Sequence, residues 1–162
     1  KEQPMTGRHH SYAVTVTWTG NSGQGTTHYR AYDRSYRLEA PGKPALTGSA
    51  DPAFLGDAAH WNPEELLVAA LSACHKLWYL HLCADAGVVV TAYCDEAAGE
   101  MQEVSGGGGA FTRVVLRPQV RVAAADQIAD AQRLHAEAAR RCFIKNSVNF
   151  PVSHEPTVTA ES

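Results

Sequence analysis

The run Asn62-Pro63-Glu64-Glu65-Leu66-Leu67-Val68-Ala69-Ala70-Leu71-Ser72-Ala73-Cys74-His75, carried on to Cys83, decides how this chain folds. Asn62 is a good N-cap acceptor, Pro63 suits the first helical position, and Glu64 and Glu65 complement the positive end of the helix dipole. From Leu66 onward the segment is apolar almost all the way round. This predicts a helix from Pro63 to about Asp85, sunk in the interior and stopped by Gly87. One thiol, Cys74, sits in its middle. On a helical wheel Leu67, Ala70, Leu71, Leu77, Trp78 and His81 share the face of Cys74, while Glu65, Ser72, Lys76, Tyr79 and Cys83 lie opposite. Read from these residues alone, the thiol is most simply a small inert hydrophobe. It becomes a nucleophile only where a cation and an oriented acceptor reach it.

Upstream, Tyr12–Trp18 alternates and is rich in β-branched and aromatic residues, so it reads as a strand. Thr19–Gly25 is a turn, and Thr26–Leu38 is expected to return as the second strand of a hairpin. The spaced glycines of the turn do not make a phosphate cradle, because a strand follows them and not a helix N-terminus. Glu39–Trp61 is rich in Pro, Gly and Ala and is expected to be irregular, with a short extended piece. Downstream, a strand is expected from Val88 through Cys94 towards Val104. Gly106–Gly109 forms a hairpin loop, and Phe111–Val122 is the partner strand, with Pro118 placing part of it at an edge or bulge. Asp126 is expected to cap a second helix, Gln127 to Cys142, whose apolar face is Ile128, Ala131, Leu134, His135 and Ala138. Ser147–Thr159 closes the chain as extended structure broken by Pro151 and Pro156. Helices separated by hairpins, without βαβ repetition, place the chain in the α+β class.

With 162 residues, 14 Lys and Arg against 17 Asp and Glu, and a net charge of −3, one globular domain is expected over residues 1–162. No basic stripe or polybasic segment argues for nucleic acid or a membrane surface. The longest apolar run is interrupted by His75 and Lys76 and is expected to fall short of a transmembrane span. Lys1–His10 is polar, lacks a signal-peptide pattern and is expected to be a flexible terminus. Four cysteines (Cys74, Cys83, Cys94 and Cys142) in a chain that reads as cytoplasmic point to reactive or structural thiols and away from a disulfide framework.

His75 lies about 100° round the helix from Cys74, and His81 lies roughly 10 Å along it, so neither is a good partner base. Cys74, His75, His81 and Cys83 lack zinc-site spacing, so no metal or other cofactor is expected. Cys142 ends a helix beside Arg140 and Arg141. Those cations favour a thiolate and the helix dipole opposes it, which leaves a reactive thiol and an apolar helix terminus equally open.

The Asn62–Leu67 segment leading to Cys74, together with Cys142-Phe-Ile-Lys-Asn-Ser-Val148, resembles the paired signature of the OsmC/Ohr family (osmotically inducible protein C and organic hydroperoxide resistance proteins). The order of elements from Tyr12 to Thr159 is similar too. The run Cys74-His75-Lys76-Leu77-Trp78-Tyr79-Leu80-His81-Leu82-Cys83 looks most like an OsmC-like subgroup. The resemblance implies antiparallel sheets around a long central helix, an intertwined homodimer, and a thiol-dependent peroxidase acting on organic hydroperoxides. It also implies an external dithiol reductant, a lipoyl protein in the Ohr branch. Carried over by position, Cys74 is the peroxidatic cysteine, Cys142 the resolving one, Glu64 the supporting glutamate and Arg30 the supporting arginine, with Arg34 as the alternative. Glu64 precedes Cys74 by ten residues, roughly 15 Å along an unbroken helix, so it is expected to serve the thiol of a partner chain. Two other readings remain: a thiol hydrolase or transferase, for which no triad is legible, and a non-catalytic protein that binds a small apolar ligand.

Overall fold

In the computed structural model, helix α1 runs from Pro63 to Asp85 with Glu64 and Glu65 in its first turn. Gly87, at φ +73°, carries the chain out of the helix, a backbone turn that costs glycine little. The structure describes residues 7–162, so residues 1–6 of the expected flexible terminus lie outside the described residues. Two compact units divide at the start of α1, the described residues up to 63 and residues 64–162.

In the first unit β1 (Thr15–Trp18), β2 (Tyr36–Glu39) and β3 (Leu46–Gly48) form an antiparallel sheet in that order. The expected return strand is mostly absent, since only Tyr36–Glu39 pairs with β1. Local hydrogen bonding outcompetes the ladder over the intervening residues. The Asn21 carboxamide accepts from the N–H groups of Gly23 and Gly25 at 2.9 and 3.0 Å, and the Asp33 carboxylate accepts from Ser35 N–H at 2.7 Å. The Trp18 indole N–H donates to Asp33 C=O at 2.9 Å and closes the loop. Alternation in Thr26–Ser35 therefore reflects no strand.

The second unit carries β4 (Val90–Asp95), β5 (Ala98–Glu103), β6 (Gly109–Leu116), β7 (Pro118–Val122), α2 (Ile128–Arg141), β8 (Val152–His154) and β9 (Thr157–Ala160). They build two three-stranded sheets, β4-β7-β9 and β5-β6-β8, antiparallel between β4 and β7 and between β5 and β6, and parallel at the last strand of each. Each expected long strand is thus two strands in different sheets. Asp95 ties the two crossings together, accepting from Arg117 N–H at 2.6 Å and from the Ser72 hydroxyl of α1 at 2.5 Å. Pro118 is the buried first residue of β7, a central strand, and not an edge, because a strand's first position loses little by lacking an N–H. Asp126 does not cap α2. It is taken up in a 3-10 turn, Ala125–Gln127, and Gln127 precedes the helix without a side-chain cap bond.

Leu71 of α1 packs with Val114 and Leu116 of β6. Further along, Tyr79, Leu82 and Cys83 pack with Val120 and Val122 of β7 and with Ala131, Leu134 and Ala138 of α2. Burying each of the larger apolar side chains contributes about 1.5–3 kcal/mol. The core face of α1 is therefore the one carrying Leu71, His75, Tyr79, Leu82 and Cys83, centred about a third of a turn round the helix from Cys74. Leu77, on the Cys74 side, is 64% exposed. The prediction of a helix sunk on all sides fails for the same reason: the residues around it in its own unit cover one side only. By length and mean hydropathy α1 also meets the requirement for a membrane span, contrary to the expectation from His75 and Lys76. Its packed face belongs to the protein core just described.

Candidate active site

Cys74 is half-buried and opens onto a hollow of about 300 Å³ lined by Leu77, Trp78, His81 and Phe143. Helical spacing puts Leu77, Trp78 and His81 one and two turns beyond the thiol. Trp78 meets the Phe143 ring edge-on at 5.5 Å between centroids. The hollow is almost wholly apolar; its polar groups are the thiol, the Trp78 indole N–H and the exposed His81 imidazole, which lies 3.4 Å from the Asp85 carboxylate.

Behind Cys74 stands Cys142, 1% exposed, at the C-terminal end of α2. The two thiols lie close enough to influence each other's ionisation, and both are free. Burial pushes the Cys142 thiol up to about 11, with nearby Cys74 adding to the rise and the N–H groups of Lys145 and Ile144 opposing it. Lys145 N–H lies 3.4 Å from the Cys142 sulfur. Cys142 therefore remains a thiol at neutral pH. The guanidinium groups of Arg140 and Arg141, which in sequence favoured a thiolate against the helix dipole, both turn to the Glu137 carboxylate.

The other expected participants lie each in its own unit. Glu64 occupies the first turn of an unbroken helix, a distance from Cys74 that its side chain cannot span. Arg30 is exposed in the Thr19–Ser35 loop of the first unit. Arg34, in the same loop, donates to the carbonyls of Tyr32 and Tyr29 at 2.5 Å and lies over both their rings. Within the second unit, Cys74 and Cys142 come together and Glu64 does not join them. Cys83 points away into the core beside Tyr79. Among the described residues no cluster of three or more His, Cys, Asp or Glu side chains is arranged to hold a metal ion.

A group that sequence reasoning missed lies on the core-facing side of the helix. His75 Nε2 and His135 Nδ1 are 3.0 Å apart, and His154 stands 5.6 Å from the His75 ring. Tyr79 stacks on His135 at 3.8 Å between centroids. Burial lowers His75 to about 4 and His135 to about 3, so both rings are neutral at physiological pH. His135 Nε2 has no hydrogen-bond partner among the described residues. A buried orphan acceptor is easier to accommodate than an orphan N–H, which favours the tautomer in which His135 Nδ1–H donates to His75. His135 was visible as a polar residue on the apolar stripe of α2, but nothing in the sequence paired it with His75.

The chain belongs to the OsmC-like protein family, whose sequence pattern matches residues 56–157. It is similar to an OsmC-like protein of unknown function from Vibrio cholerae, with 33% identity and a TM-score of 0.82 over 92% of this chain and 100% of that one. More distant structures share the fold. An organic hydroperoxide resistance protein from Elizabethkingia anophelis with thiocyanate bound has 19% identity and a TM-score of 0.65, covering 95% of this chain and 100% of that one. One from Legionella pneumophila has 16% identity and a TM-score of 0.62, covering 93% and 99%. No curated protein sequence matches it.

Proposed function

We propose that this protein is a thiol-dependent peroxidase that reduces organic hydroperoxides. The observation that carries the reading is the closeness of a half-buried thiol facing an apolar hollow to a second, buried thiol behind it. The Cys74 thiolate attacks the terminal peroxide oxygen, the O–O bond breaks, and an alcohol leaves with Cys74 as sulfenic acid. Cys142 then attacks the Cys74 sulfur, water leaves, and a disulfide forms that an external dithiol reduces by exchange. The apolar lining suits bulky alkyl or aryl hydroperoxides better than hydrogen peroxide. Two fold relatives bear the name of organic hydroperoxide resistance proteins, which supports the same chemistry.

The reading includes a cytoplasmic, two-fold homodimer in which Glu64 and Arg30 of one chain serve the partner's Cys74. The exposed face of α1 around Leu77 and the 69% exposed Phe143 support such a partner. Reduced protein is treated with one equivalent of cumene hydroperoxide, and its disulfides are mapped by mass spectrometry. A Cys74–Cys142 linkage, absent in Cys74→Ser, is the expected result. Unchanged thiols at both positions would sink the enzyme and leave a binder of small apolar ligands.

A further inference from the structure

We infer that the external thiol that recycles the Cys74–Cys142 disulfide bonds to the Cys74 sulfur and expels Cys142, never the reverse. The inference rests on the peroxidase reading and assigns the direction of its reducing step.

A thiolate opens a disulfide by attacking one sulfur and driving out the other through a mixed disulfide, so the bond has two routes of opening and access helps to choose between them. The two thiols face different spaces. Cys74 opens onto the apolar hollow of about 300 Å³, which Cys142 does not line. Cys142, itself buried, lines a closed void between α1, α2, β6 and β8 that Cys74 does not line and that leaves no room for a water molecule. A thiolate with its carbon stem is larger than water and cannot enter. The next side chain turns the other way, since Phe143 is exposed and walls the hollow. Beyond Lys145, Ser153 and His154 of the void's wall lies an open groove of about 480 Å³. Cys142 does not line that groove either, so it offers no second entrance.

Thiol acidity opposes this direction and is the weaker effect. The more acidic thiol leaves faster, and burial holds Cys142 up at about 11 against an ordinary 9.0. Taking the slope of about 0.5 known for the attacking thiol for the leaving one as well, that difference slows the route about tenfold. The competing route needs α1, α2 and β8 to part around the buried Leu71 and Leu116. Openings of core elements are populated at about one part in a thousand or less. The N–H groups of Lys145, 3.4 Å from the Cys142 sulfur, and of Ile144 further ease its departure as the thiolate.

The step balances. The incoming thiolate bonds to the Cys74 sulfur, the S–S bond breaks, and Cys142 leaves with the electron pair. It takes up a proton in place of the one that the incoming thiol gave to solvent. The second thiol of the same dithiol then attacks its own bound sulfur and frees Cys74 as the thiolate. The dithiol loses two electrons and the protein disulfide gains them.

The test uses Cys94→Ser, which removes the exposed thiol outside the site. One equivalent of cumene hydroperoxide makes the disulfide, and 2-mercaptoethanol is then raised until a mixed disulfide accumulates. Samples quenched in acid at early times are mapped by mass spectrometry. Mercaptoethanol should be found on Cys74, with Cys142 as a free thiol, at least tenfold over the reverse arrangement. A ratio below tenfold, or an excess on Cys142, would overturn the inference and leave the peroxidase reading standing. No Cys74–Cys142 linkage after the hydroperoxide would remove that reading, and this inference with it.

Discussion

Acidification is the sharpest physical test of the buried histidines. His75 and His135 are 1% and 0% exposed, held at about 4 and about 3, and they share one hydrogen bond. Unfolded, each returns to the ordinary value of 6.5. Because the folded values are depressed, the unfolded chain binds more protons below pH 6.5, and stability falls as pH drops through that point. At pH 5 the cost is roughly 2 kcal/mol per ring, and at pH 7 it is roughly 0.2 kcal/mol. Between pH 7 and pH 5 the pair should therefore remove roughly 3–4 kcal/mol, a large share of the stability of an ordinary domain. His154, which burial and the Lys145 ammonium also hold below the ordinary histidine value, adds to the fall in the same direction, while the lowered carboxylates Asp33, Glu100 and Glu137 start from ordinary values of 3.8 to 4.5 and titrate below this window. Urea unfolding followed by tryptophan fluorescence, at one protein concentration, measures the loss. In His135→Gln, which keeps a polar partner for His75, the dependence on pH should be about halved. A loss under about 1 kcal/mol in the wild type, or an unchanged slope in the variant, would refute the assignment of these rings as neutral and buried.

The geometry sets three further outcomes. Phe143→Ala widens the Cys74 hollow at an exposed side chain, so stability should change by under about 0.5 kcal/mol, while kcat/KM falls for cumene hydroperoxide more than for hydrogen peroxide. On the proposed dimeric peroxidase, Leu77→Asp places a charge on the exposed face of α1 and should leave the chain folded while sedimentation shifts from dimer to monomer, with loss of peroxide turnover. Gly56→Ala would set its Cβ 1.7 Å from the Ala50 carbonyl oxygen, so urea unfolding should show a loss of more than about 2 kcal/mol or a rearranged loop.

The bounds of α1 were legible because they rest on local chemistry: Pro63 and the acidic first turn at one end, Gly87 at the other. The Gly106–Gly109 loop was legible for the same reason, with Gly106, Gly107 and Gly108 all at positive φ between β5 and β6. The two cysteines could be singled out because each sits in a distinctive segment. Their closeness could not be derived, since it depends on how α2 closes over α1.

What only the tertiary structure decided are the choices that a period leaves degenerate. A helix apolar on every side does not say which side faces the core; the sheets and α2 chose the face of His75 and Tyr79 and left that of Cys74 open. An alternating segment makes a strand only when a neighbour offers its hydrogen bonds, and Thr26–Ser35 found its own turns first. Histidines 60 residues apart become a pair only when two helices pack, because burial and partnership are properties of the space between elements.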